Sequence, residues 1–195
     1  MVTFAKGFAV LCFVVLTASA LYAQDTVEIF GGYSFVRGSV PVTETITCPG
    51  PVCPTNTASY GSNLNGFELS GTYKRSDWLG FTADFGGNFG TTQNASTHLE
   101  TFLFGPEVSF PARVSPFAHV LFGAAHESLG IGSGSTYFVD PTSQTSFAMA
   151  FGAGIDIKVA PFASFRPIQI DYLLTRFDSG TQSQPRVSAG VVFHF

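Results

Sequence analysis

Charge is scarce in this chain. Lysine, arginine, aspartate and glutamate make up 11% of its 195 residues, against about 25% in ordinary soluble domains. The nine basic residues and a formal net charge of -4 offer phosphates no electropositive footprint, which excludes a nucleic-acid partner. A disordered polar chain is excluded in turn by the 45% apolar content. Tryptophan occurs once and cysteine three times. Beyond the first two dozen residues no apolar repeat of helical period is long enough to use. Phenylalanine, with 22 residues, and glycine, with 21, occupy the space that charges and helix formers fill elsewhere.

The N-terminus reads as a targeting segment. Lys6 gives a positive start, Gly7 to Leu16 is an uncharged apolar run, and Ala18-Ser19-Ala20 supplies small residues at the spacing a signal peptidase reads; a cut after Ala23 fits as well. The run is too short for the roughly 20 residues that a membrane anchor needs. Residues 1–23 are therefore expected to be a signal peptide and 24–195 one exported domain. Cys12 leaves with the signal. Cys48 and Cys53 remain in Thr47-Cys48-Pro49-Gly50-Pro51-Val52-Cys53-Pro54, a loop-like stretch that reads as a small surface disulfide in an oxidising compartment. That segment offers no further metal ligands, and no cofactor or metal is expected.

The mature chain alternates with period two along most of its length, so it is expected to be all-β. Val27 to Arg37 places Val27, Ile29, Gly31, Tyr33 and Phe35 on one face. Gly66 to Lys74 sets Phe67, Leu69, Gly71 and Tyr73 against Glu68, Ser70 and Thr72. Comparable strands run over 79–90, 99–110, 117–126, 147–158, 166–177 and 186–195, which makes about eight, mostly of nine to twelve residues. One face is apolar and aromatic; the other carries carboxylates and small residues. A soluble sandwich would put lysine and glutamate on its wet faces, and here those faces are too small and too weakly charged. A transmembrane barrel inverts the arrangement, with the aromatic face toward lipid and the small polar face lining a narrow interior.

Connection lengths argue the same way. Long or medium links (38–65, 91–98, 127–146, 178–185) alternate with short ones (76–78, 111–115, 159–165), as extracellular loops alternate with periplasmic turns in outer-membrane barrels. Both termini then lie on the periplasmic side.

On these features the chain resembles the small eight-stranded outer-membrane β-barrels, the group containing the transmembrane domain of OmpA, OmpX and the opacity-type surface proteins. The most specific element is Gly190-Val191-Val192-Phe193-His194-Phe195, similar to the terminal strand read by the barrel-assembly machinery, with Gly190, Phe193 and Phe195 as its signal. Phe104-Gly105-Pro106-Glu107, Pro116-Phe117-Ala118-His119 and Asp171-Tyr172-Leu173-Leu174-Thr175-Arg176-Phe177 are similar to strand signatures of the group. The resemblance implies an antiparallel up-and-down barrel, monomeric, in the outer membrane of a Gram-negative-type bacterium, in contact with outer-membrane lipid. It is specific for architecture and weak for activity, since the group includes adhesins and membrane-stabilising proteins.

Alternation points Glu28, Glu68, Asp84, Glu107, Asp156 and Asp171 inward, facing Lys158, Arg186, His119 and His194. An interior just wide enough for side chains then reads as a packed polar core rather than a wet pore. Pro106 falls within a strand, and a bulge at Gly105-Pro106 is the expected repair; Pro167 is expected at the start of its strand. Catalytic motifs are missing: there is no Gly-x-Ser-x-Gly elbow and no His-Glu-x-x-His, and Gly130 to Ser135 lacks the lysine of a phosphate loop. His126, Glu127 and Ser128 are neighbours on a strand and point to opposite faces. The expected function is a non-enzymatic barrel acting through its loops, 38–64 and 127–146, on an extracellular ligand or host surface, or through membrane integrity. A narrow cation-preferring pore is the alternative, and an outer-membrane lipid-modifying enzyme the third reading.

Overall fold

The computed structural model describes residues 27–45, 55–92, 95–131, 142–177 and 180–195. The signal segment and the Cys48/Cys53 pair lie outside the described residues. The chain forms β1 (Val27–Thr45), β2 (Thr55–Ser76), β3 (Leu79–Thr92), β4 (Ala95–Ser109), β5 (Val114–Ile131), β6 (Thr142–Ala160), β7 (Ala163–Phe177) and β8 (Gly180–His194). Each strand pairs antiparallel with the next, and β8 returns to β1, so the sheet closes into an eight-stranded barrel. Closure leaves the ladder no permanent edge within the barrel wall. The seam runs from Glu28↔His194 to Val36↔Arg186, and Val27 and Phe195 finish it with reciprocal backbone hydrogen bonds of 3.1 and 2.8 Å.

Parity decides which side chains meet lipid. Phe102 and Phe104 are 59% and 60% exposed while Leu103 between them is fully buried, so this strand turns its aromatics outward. The same holds for Phe67, Leu69 and Tyr73 on β2, Phe81 and Phe85 on β3, Phe147 and Phe151 on β6, and Val191 and Phe193 on β8. Trp78, Phe110, Phe162 and Phe195 stand exposed beside the tight turns and the C-terminus, where amphipathic or aromatic side chains form the girdle at the membrane edge.

Several expectations are corrected. The strands span 14 to 22 residues rather than nine to twelve, because the hairpins read as loops remain paired above the membrane; β1 pairs β2 as far as Thr45↔Thr55, and β5 pairs β6 as far as Leu129↔Thr142. Within the ranges read as loops 38–64 and 127–146, much of the chain is therefore ladder. Pro106 needs no bulge. Its pairing to β3 is unbroken through Phe81↔Pro106, and the β5 pairing lapses only between Phe104↔Phe122 and Glu107↔His119, then resumes in the same register. The register shifts fall instead between Lys74/Ser76, Ile155/Ile157, Lys158/Ala160 and Arg166/Gln169. Pro167, five residues into β7, sits in the last of these, where a missing N–H costs least.

Candidate functional site

The barrel interior is layered. Toward the long-hairpin end, Val36, Leu64, Leu99, Leu103, Leu121, Ala125, Ala148, Ala150 and Leu173 form one buried apolar cluster. This corrects the expectation of a polar interior throughout. The leucines were legible as inward by parity, but they stand on strands whose outward faces are also apolar, so no contrast in polarity marks them.

Below this plug lies an ionic layer centred on Arg186. Its Nη1 reaches Asp84 Oδ1 at 2.9 Å, Nη2 reaches Asp171 Oδ2 at 2.8 Å, and Nε lies 3.5 Å from Glu68 Oε2. Gln169 Nε2 donates to Glu68 Oε1 at 2.7 Å and to Asp171 Oδ2 at 2.9 Å, and Ser188 donates to Glu68. His119 Nε2 joins Asp171 Oδ1 at 2.8 Å. All of these groups are buried. A guanidinium is the cation suited to this position, because its planar fork serves several carboxylates at once.

Space for the layer comes from glycine. A Cβ built on Gly152 would fall on the Asp171 carboxylate and on the carbonyl of Ile170, and one on Gly86 would press on Thr101 and on the Arg186 guanidinium. Both positions face inward, so the residue type is set by the neighbouring charge rather than by backbone conformation.

The third layer reaches the tight-turn end. Lys74 Nζ lies 3.2 Å from Glu107 and 3.4 Å from Glu28, and Glu28 also meets His194 Nδ1 at 3.3 Å. His194 Nε2 bonds Ser164 Oγ at 2.8 Å. Arg166 binds both oxygens of Asp156, at 2.7 and 2.9 Å, and lies against the rings of Phe117 and Phe30, 4.0 and 4.5 Å from their centroids. A cation over a desolvated aromatic face gains from the ring quadrupole.

Of the residues singled out in the sequence, Glu68, Asp84, Glu107, His119, Asp171 and Arg186 are buried in the lumen, and Glu28, Asp156 and His194 are half-buried toward its mouth. Lys158 is a correction: it is exposed on the rim, because the shifts on either side of it carry the end of β6 out of the simple alternation. Three cation or amide partners were missed. Lys74 continues the inward parity of Glu68, Ser70 and Thr72 and was available to the eye. Arg166 shares the outward parity of Ile168 and Ile170 in sequence, and only the shift at Pro167 turns it inward. Gln169 was placed on the right face but given no role. Gly190 and Phe193 occupy the seam opposite Gly32 and Ile29.

His126 bonds Thr145 at 2.8 Å and Ser143 at 3.2 Å across the ladder to β6. Among the described residues no group of three or more His, Cys, Asp or Glu side chains is placed to hold a metal ion.

No curated protein sequence matches the chain. Solved structures share the fold at low identity. The attachment invasion locus protein Ail of Yersinia pestis superposes with a TM-score of 0.57 at 18% identity, covering 88% of this chain and 99% of that one. Neisserial surface protein A gives 0.62 at 15%, covering 89% and 98%, and OprG of Pseudomonas aeruginosa 0.61 at 13%, covering 87% and 95%. Over residues 8–195 the sequence matches the family model of the outer membrane protein beta-barrel domain. A closed antiparallel barrel with an aromatic exterior and an ion-paired interior, matched over nearly its whole length, belongs to that family and resides in the outer membrane of Gram-negative bacteria.

Proposed function

We propose that this protein is a non-enzymatic barrel whose closed wall serves as a platform for its extracellular hairpins, which bind a ligand or a host surface. The observation that carries the reading is the filled lumen: an apolar cluster is stacked on a buried layer in which Arg186 is ion-paired to Asp84 and Asp171. About 9–11 residues cross a bilayer as a tilted strand, so β1 and β2, with 19 and 22 residues, reach well beyond the lipid. Ail, by its name an attachment protein, has been crystallised with the heparin analogue sucrose octasulfate, and an extracellular polyanion or glycan is the kind of ligand such hairpins present themselves to. Cys48 and Cys53 would stiffen the tip of the first hairpin as a disulfide, and the terminal Gly190, Phe193 and Phe195 would serve the assembly machinery.

Planar-bilayer recording tests this. The reconstituted protein is expected to show no steady conductance, and cells carrying it to lose surface attachment when residues 46–54 and 132–141 are replaced by Gly-Ser linkers. Steady cation-selective current that weakens in the D84N/D171N variant would replace the platform with a narrow pore.

A further inference from the structure

The tight-turn end of the barrel, which faces the periplasm in barrels of this kind, holds a cup of about 690 Å³. Backbone hydrogen bonds fasten its collar: Ser109 N–H to Trp78 O, Lys158 N–H to Arg113 O and His194 N–H to Phe162 O, each 2.9 Å. Its floor is neutralised from within, since Glu28 is shared by Lys74 and His194 and Asp156 is taken by Arg166.

The rim is not neutralised. Arg75, Arg113 and Lys158 line it against Asp77 alone, and none of the three cations makes an ion pair among the described residues. Each comes from a different connection. Arg75 has outward parity on β2 and lines the cup because the register shifts around it, between Lys74 and Ser76; bulges re-aim side chains in this way. Lys158 sits beside a second shift, and its backbone bonds directly to that of Arg113. Their backbones are thus held side by side, so that two like charges rise from adjacent positions on the rim, and an anion between them would relieve their repulsion.

We propose that this cup binds the phosphate group of a phosphate ester, either a soluble periplasmic one or the headgroup of an anionic phospholipid of the inner leaflet. Three cations against one carboxylate leave an excess of two positive charges, which matches a phosphate dianion. Two guanidinium forks and an ammonium approaching from separate turns suit a tetrahedral acceptor. The volume exceeds what phosphate needs and leaves room for the organic part of the ester.

Calorimetric titration of the refolded barrel in maltoside micelles with glycerol 3-phosphate is the test. Saturable binding is expected, with none for glycerol, and at least a tenfold loss of affinity in R113Q/K158Q. R176Q, an exposed arginine near the opposite end of β7, should bind like the parent. Repeating the titration in phosphatidylcholine nanodiscs with and without phosphatidylglycerol separates the sources: competition by phosphatidylglycerol identifies the lipid headgroup as occupant, and unchanged affinity identifies the soluble ester. Absence of saturable binding in micelles overturns the proposal. So does undiminished binding by the double variant, once its unboiled gel migration shows it folded.

Discussion

Arg186 is the residue on which the interior charge converges. Its guanidinium contacts three buried carboxylates while Gln169 and Ser188 bond the oxygens of Glu68 and His119 bonds Asp171 Oδ1. Removing one partner of a buried ion pair strands the others in low dielectric and costs about 3–5 kcal/mol, whereas replacing a whole cluster with neutral groups is often tolerated. Arg186→Leu is therefore expected to lower the stability measured by urea unfolding in lipid vesicles by roughly that amount. Adding Asp84→Asn and Asp171→Asn should recover a large part of it; a triple variant no more stable than the single one would mean that the guanidinium acts by packing alone. Gly152→Val probes the same layer from the wall. Its side chain would take the place of the Asp171 carboxylate, and the unfolding midpoint should fall although the substitution adds apolar volume and β propensity.

At the scale of the strand, the seam carries the sharpest expectation. Phe195 donates to and accepts from Val27 at the very end of the β1–β8 ladder, and its ring stands exposed beside Phe193 on the lipid face. Deleting Phe195 removes both hydrogen bonds and the terminal aromatic, and should reduce the amount of barrel recovered in the outer membrane without altering the behaviour of the molecules that do fold. Normal yield from the truncated chain would separate the terminal residue from assembly. Strand identity and facing were legible in sequence wherever parity ran undisturbed, as from Phe67 to Tyr73 or from Leu99 to Phe110. Legibility failed at the register shifts, which leave no mark on composition: Arg166 and Arg75 have the parity of lipid-facing residues and yet line the lumen or its mouth. It failed again at the upper ends of the hairpins, where polar stretches such as 55–64 read as loop and are held in β structure by pairing with their neighbour. The ionic layer was half legible, since parity points the acids inward but pairing depends on which strands are neighbours across the lumen. Glu68 and Gln169, 101 residues apart, meet only when the barrel closes.

For the whole molecule, closure makes stability cooperative in a way that detergent reveals. Every strand is paired on both sides in the membrane-crossing region, and inside lipid or a micelle the backbone has no water to bond instead, so opening any one ladder leaves several groups unpaired at a cost of several kcal/mol each. The lumen adds to this, because the Arg186 layer joins β2, β3, β7 and β8 across the interior and His119 brings in β5. Unfolding must then break ladder and core together, and sodium dodecyl sulfate at room temperature supplies little help with either. The protein is expected to fractionate with the outer membrane and to migrate faster on a gel when unboiled, as a compact barrel, than after heating. The temperature at which the fast band converts should drop in Arg186→Leu, which weakens the interior, and hardly move when residues 46–54 are replaced, since the β1–β2 ladder is already complete at Thr45↔Thr55. Equal migration of boiled and unboiled samples, or recovery in the soluble periplasmic fraction, would contradict the closed barrel, and a conversion temperature insensitive to Arg186 would assign the resistance to the ladder alone.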